Sequence, residues 1–162
     1  MMVRDLSEQG AVMIATVQNH TPSVMVIDEI GRKAEVEAAR TCKQRGVRML
    51  ASAHGDLRKL IKNGDLKGLV GGTLMETLGD TLAKEEAKKR GFGEVQKTKA
   101  VRANEPVFDV IVEMKRNSHH CWTIIHEVSD AVDAVLEGAK YVVERRARNP
   151  QTGQIYVCEE LS

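Results

Sequence analysis

Four consecutive apolar residues, Val24-Met25-Val26-Ile27, run without alternation into two adjacent acids, Asp28 and Glu29. A strand that is apolar at every position suits a parallel sheet, where both faces are covered. Its carboxyl end is then the edge at which open α/β sheets bind ligands. An acid at that edge is not core, because burying an unpaired carboxylate costs too much. Lys33 to Arg45 is rich in Ala and Glu and reads as a helix, with Gly46 as its C′ residue. Val47 to Ala53 is a second short apolar strand that also ends in polar groups, Ser52 and then His54-Gly55. Strand, helix and strand within about 30 residues is the length of a βαβ unit.

Two acids at such a strand end suit phosphoryl transfer to water. Asp28 would hold Mg²⁺ through its waters, since magnesium gives up hydration reluctantly. Glu29 would orient or deprotonate the attacking water beside the γ-phosphate of ATP. Gly31 lets the backbone turn sharply next to a ligand. If the two strands are parallel neighbours, Ser52 and His54 come close to Asp28 and Glu29, where a hydroxyl or imidazole can meet the γ-phosphate or the lytic water. The plain alternative is a strand that ends in solvent, with Asp and Glu as ordinary polar residues.

The rest of the chain reads as further alternating structure. Leu6 to Asn19 is a helix with Ser7 as a cap and Leu6, Gly10, Met13 and Val17 on one stripe, ended by Thr21-Pro22. Asp56 to Val70 reads as two short helices interrupted at Asn63-Gly64, Thr73 to Leu78 as a strand, and Asp80 to Arg90 as a charged helix. Val95 to Arg102, Val107 to Met114 and Cys121 to His126 read as three strands of an antiparallel meander. Ser129 or Asp130 caps a last helix with Val132, Val135, Leu136 and Ala139 on its buried stripe. Residues 139–162 read as a basic tail or linker.

Composition narrows the function classes. Aromatics are 3% of the 162 residues, too few for stacked recognition of single-stranded nucleic acid to be the main business. The net charge of +1 gives no global polyanion-binding surface, so nucleic acid is an unsupported partner. Three scattered cysteines, Cys42, Cys121 and Cys158, argue for reduced thiols rather than a disulfide framework. No apolar run approaches the roughly 20 residues of a membrane span.

The run Val26-Ile27-Asp28-Glu29-Ile30-Gly31, with Ala38-Ala39-Arg40-Thr41 and Gln44-Arg45-Gly46-Val47, resembles the stage III sporulation protein AA-like ATPases, in particular their cyanobacterial and plastid-type branch. Ala53-His54-Gly55, Leu69-Val70-Gly71-Gly72, Thr77-Leu78-Gly79-Asp80, Gln96-Lys97-Thr98 and Pro106-Val107-Phe108-Asp109-Val110 extend the resemblance, which covers about residues 6 to 138. It implies a P-loop NTPase (RecA-like) α/β core whose parallel sheet continues into an antiparallel meander, ATP and Mg²⁺ as cofactors, and a ring-forming homo-oligomer. It implies Asp28 as the metal-holding residue, Glu29 as the catalytic one, and Asp28, Glu29, Ser52 and His54 as nucleotide-binding residues. The family's Thr two positions before the His is Ser52 here, which keeps the hydroxyl. Plastid or bacterial cytoplasm is the implied location.

A phosphate loop, G-x-x-x-x-G-K-[ST], would supply the amides and the Lys that grip the phosphates. No glycine of this chain opens that pattern; Gly31, Gly64 and Gly68 are followed by unrelated residues. On the resemblance, residues 1–138 are the carboxyl-terminal portion of an ATPase domain and the first half of its core is absent. Two readings follow: part of an Mg-dependent ATPase, or a non-catalytic module that pairs with a complete ATPase subunit. Other candidate sites are weaker. His119, His120, Cys121 and His126 lack a second ligand pair for a tetrahedral metal site. Lys97, Lys99 and Arg102 lie on nearly alternate strand positions and read first as a solvated face, while Arg40, Arg45, Arg58 and Arg102 are open candidates for an arginine finger.

Overall fold

A computed structural model describes residues 5–79, 98–115 and 118–162. The expected helix over Asp80–Arg90, Lys97 and the first residues of the strand expected from Val95 lie outside them. A short 3-10 turn, Leu6–Glu8, leads into α1, Gln9–His20. Then come β1 (Val24–Ile27), α2 (Lys33–Gln44), β2 (Arg48–Ala51), α3 (Leu57–Lys62) and a second 3-10 turn at Lys67–Val70. β3 (Thr73–Thr77), β4 (Thr98–Arg102), β5 (Ile111–Met114), β6 (Cys121–Ile125), α4 (Val128–Glu137), β7 (Val142–Arg148) and β8 (Ile155–Leu161) follow.

β1 and β2 pair in parallel with Val24 opposite Arg48 and Ile27 opposite Ala51, and α2 is the crossover between them. Contrary to the sequence expectation, β1 is covered on one face. Ile27 is buried and Met25, Met49 and Ala51 pack on the core, whereas Val24, Val26 and Leu50 are 53%, 74% and 65% exposed. The period-2 alternation of a strand explains the split, since the core lies on the Met25–Ile27 side. The opposite face is bare among the described residues.

The antiparallel part also differs from the expected arrangement. β4 pairs with β3 as a separate two-stranded ladder, so it does not belong to a meander with β5 and β6. Among the described residues the parallel pair is likewise a sheet of its own and does not continue into the antiparallel strands. The four-stranded antiparallel sheet runs β5-β6-β7-β8, and its last two strands are formed by residues 142–161, read from sequence as a basic tail. Charge pairing accounts for that strand propensity: Arg145 bonds Glu160 across the β7–β8 ladder at 3.1 Å, and Arg146 is paired with Glu144.

Three contacts tie the βαβ unit to the antiparallel sheet. Lys43 of α2 donates to the Pro106 carbonyl at 2.9 Å and to Asp109 Oδ1 at 2.7 Å. Leu57 N–H at the start of α3 donates to Glu113 Oε1 of β5 at 2.8 Å. One core runs beneath both, joining Val36, Ala39 and Cys42 of α2, Leu57 and Ile61 of α3, and Ile125, Val128 and Val132.

Helices α1 and α2 approach closely at Gly10, where an added Cβ would stand 3.1 Å from the Ala34 carbonyl oxygen. A larger residue must push α1 outward. Gly10→Val should therefore lower stability by about 1–3 kcal/mol in denaturant unfolding. At α3, Asp56 accepts from the Lys59 N–H at 2.8 Å, a cap that holds its carboxyl below the ordinary value. A lowered folded value contributes stability above the unfolded one that is lost as pH falls. Asp56→Ala should cost about 1 kcal/mol at neutral pH, and the gap to the parent should close below roughly pH 4.

Candidate functional site at the carboxyl end of the parallel pair

The chain leaves β1 at Ile27 and turns at once. Glu29 adopts φ +55°, a left-handed conformation that costs a side-chain-bearing residue roughly 1–2 kcal/mol. Surrounding bonds hold this turn. Ser52 N–H donates to the Ile27 carbonyl at 3.2 Å, and Ile30 N–H donates to the Ser52 carbonyl at 2.8 Å. Parallel pairing thus continues past the strand ends and locks the two polar termini side by side. Ile30 is fully buried and anchors the far side of the turn.

Within this frame the Ser52 hydroxyl does two things. Its oxygen accepts from the Glu29 N–H at 2.8 Å, and its proton goes to Asp28 Oδ1 at 3.1 Å. His54 Nε2 stands 3.2 Å from Glu29 Oε1, with both side chains largely exposed. The four residues singled out from sequence, Asp28, Glu29, Ser52 and His54, therefore converge on one edge. Asp28 directs one oxygen to Ser52 and leaves the other without a partner among the described residues. A carboxylate oxygen beside a hydroxyl is a hard-donor pair of the sort that magnesium accepts while keeping most of its waters.

Two supporting residues escape the sequence reading. Gln9, buried in the first turn of α1, points its side-chain amide at the carbonyls of Asp28 and Glu29, 3.4 and 3.5 Å away. Glu35 is buried to 4% exposure, and its Oε2 accepts from the N–H groups of Gly31 and Arg32 at 2.8 and 3.0 Å. It closes the start of α2 from within, the half of a capping box that reaches back to the entering chain. The signal for Glu35 was its place three residues after Arg32; the signal for Gln9 was a polar side chain four residues before Met13 on the buried stripe.

The other candidates lie elsewhere. His119 and His120 are exposed in the turn before β6, and His126 pairs with Glu144 at 3.0 Å; the bond from Arg146, and after it that of His126, holds the Glu144 carboxyl below its ordinary value. Among the described residues no group of three or more His, Cys, Asp or Glu is arranged to hold a metal ion. Arg102 makes a two-pronged bond to Asp133, 3.0 Å at each nitrogen, and a third bond to Glu105, which raise its pKa. Lys99 bonds Glu137 at 3.1 Å. These ion pairs line a cleft of about 290 Å³ between β4 and α4, so its two cations are already answered by carboxylates. Burial pushes the Cys42 thiol up, as befits a packed rather than reactive cysteine.

Comparison with known proteins places the chain beside three longer ones. It is 40% identical over 147 residues to the uncharacterized protein ycf45 of the alga Porphyra purpurea, covering 90% of this chain and 24% of that protein. It is 42% identical over 148 residues to the protein SEEDLING PLASTID DEVELOPMENT 1 of Arabidopsis thaliana, covering 90% of this chain and 20% of the relative. A ycf45 protein of Cyanidium caldarium is 38% identical over 139 residues, 85% of this chain and 39% of its own length. The chain thus spans between a fifth and two fifths of the relatives it matches. It matches no protein-family model and no solved structure.

These findings correct the kinship drawn from the motifs. The proteins it matches are ycf45 and SEEDLING PLASTID DEVELOPMENT 1, and none is named as a sporulation-type, AAA or P-loop ATPase. The ring-forming homo-oligomer that the motif resemblance implied loses its basis with it. The plastid relation stands, in agreement with the name of the Arabidopsis protein. No helix of the described residues is long and apolar enough to cross a membrane.

The hydrogen bond from Glu29 N–H to Ser52 Oγ gives the site a direct probe. Ser52→Ala removes the acceptor, and the Glu29 amide should then exchange with solvent about fivefold faster by NMR, in line with roughly 1 kcal/mol for one such bond. An unchanged rate would mean that the strand ends are held by the backbone alone.

Proposed function

We propose that this edge is the metal- and water-bearing half of an ATP-hydrolysing site, of the kind found on a P-loop NTPase core. The carrying observation is the Asp28–Ser52–Glu29 arrangement at the end of a parallel strand pair. Asp28, steadied by Ser52, would hold Mg²⁺, which when bound neutralises phosphate charge. Glu29, fixed by its backbone turn and oriented by His54, would accept the proton of the attacking water. Ser52 and His54 would face the phosphate. Plastids are the proposed setting, following the name of the Arabidopsis relative.

A second reading has its own observation. Val24, Val26 and Leu50 leave the outer face of the parallel pair bare, although parallel sheets are ordinarily covered on both sides. That suits a module completed by another polypeptide layer carrying the phosphate-gripping loop, with this chain contributing no turnover alone. Both readings use the same acids, and they differ in whether the phosphate-gripping loop comes from the same polypeptide or from a partner.

Manganese binding followed by electron paramagnetic resonance, with and without ATP, tests the site itself. Asp28→Asn should weaken Mn²⁺ binding about tenfold or more, and Ser52→Ala should follow in the same direction. Glu29→Gln should leave metal binding within about twofold and abolish any phosphate release from Mg·ATP. Equal, measurable release by Glu29→Gln and the parent would remove Glu29 from the chemistry. Unchanged Mn²⁺ affinity in Asp28→Asn would remove the metal.

A further inference from the structure

Among the described residues β8 is the open edge of the four-stranded sheet, pairing with β7 on one side, and all seven of its residues are exposed. Which of its backbone groups are unpaired follows from the ladder. Ser162 N–H donates to the Tyr141 carbonyl and Asn149 N–H to the Gln154 carbonyl. Even-numbered residues of β8 therefore bond inward to β7, while Ile155, Val157, Glu159 and Leu161 aim their N–H and C=O groups away from the sheet. An exposed row of this kind is a template for another strand.

We infer that the partner of this edge is a second copy of the chain, with β8 joined antiparallel to β8 about a two-fold axis at Cys158. The inference stands apart from the nucleotide reading. Cys158 is the midpoint of Ile155–Leu161, so complete overlap of two such strands brings it opposite itself. The four outward-facing residues then form the hydrogen-bonded pairs, Ile155 with Leu161 and Val157 with Glu159 of the second copy. Cys158 occupies a position not bonded across the new ladder, where facing side chains are closest.

Charge selects the same register. With Cys158 on the axis, Glu159 faces Val157 and Glu160 faces Tyr156, so no acids meet, and Glu160 keeps its Arg145 partner. Sliding by one allowed step in one direction sets Glu159 against Glu159, a like-charge pair that destabilises a sheet. Sliding in the other leaves Glu160 and Leu161 unpaired against the β7–β8 turn. Pairing also sets Ile155, 49% exposed, beside Leu161 of the second copy, 63% exposed, on the face that carries Val142.

The test is the mass of the reduced protein in solution by light scattering, followed by thiol oxidation. The proposal expects twice the 17.9 kDa of one chain. Diamide should then link two Cys158 residues. The paired thiols give two protons and two electrons to its azo bond, and mass spectrometry identifies the joined peptide. Val157→Pro deletes an outward N–H without touching the β7 ladder, so it should give a folded monomer with no link. Should that variant unfold, Val157→Glu opposes Glu159 twice and should weaken the dimer about tenfold, and adding Glu159→Lys should restore it. A protein that stays monomeric, a dimer indifferent to the Val157 variants, or a link through Cys121 would each overturn the proposal.

Discussion

The pairing of β1 with β2 is the constraint on which the site depends. Two four-residue strands side by side would give little stability alone, but their ladder runs on through Ser52 N–H to Ile27 and Ile30 N–H to Ser52. Those two bonds bring the ends of different chain segments into register. The hydroxyl of Ser52 can then serve the Asp28 carboxylate and the Glu29 amide at once. Because α2 crosses over between the strands and α1 packs on α2, any displacement of the helices is felt at the strand ends. Gly10 permits that packing, and Gln9 beside it touches the carbonyls of the turn.

The remaining structure stabilises this unit from beneath. α3 is tied at its first N–H to Glu113 of β5, and α2 is tied through Lys43 to the segment before β5. Apolar packing beneath these bonds is continuous, from Val36 and Cys42 to Val128 and Val132. A polar bond between elements counts for most when it sits over such a core, since water competes less for it. The ion pairs of Arg102 and Lys99 do the same on the β4–α4 side, where a cleft could otherwise be taken for a ligand pocket.

How much of this was legible in the sequence depends on the length scale of the signal. β1, α2 and β2 were readable because each carries its own local pattern: an unbroken apolar tetrad, an Ala- and Glu-rich run, and a glycine stop. Convergence of Asp28, Glu29, Ser52 and His54 was readable too, since parallel neighbours align their ends. Strand partnership was not. β4 looks like any strand of a meander, and only its ladder to β3 shows that it is apart. The strands at 142–161 were hidden by charge, because Arg145, Arg146 and Arg148 suggest a solvated tail until Glu144 and Glu160 are placed beside them. The bare face of β1 was equally invisible, since an apolar residue does not declare whether anything covers it.

The left-handed backbone at Glu29 has a consequence for what shaped this position. Glycine adopts φ +55° without a steric penalty, and Asn or Asp does so more readily than Glu. A chain optimised for folding alone would carry one of these at residue 29. Retaining a long acidic side chain there gives up roughly a kilocalorie per mole of stability and places a carboxylate in solvent beside His54, where packing gains nothing from it. Thermostabilisation of this protein would therefore be drawn to residue 29, as it would to Thr21, which is also left-handed at φ 42°. The variants that melt highest would be those that had lost the acid.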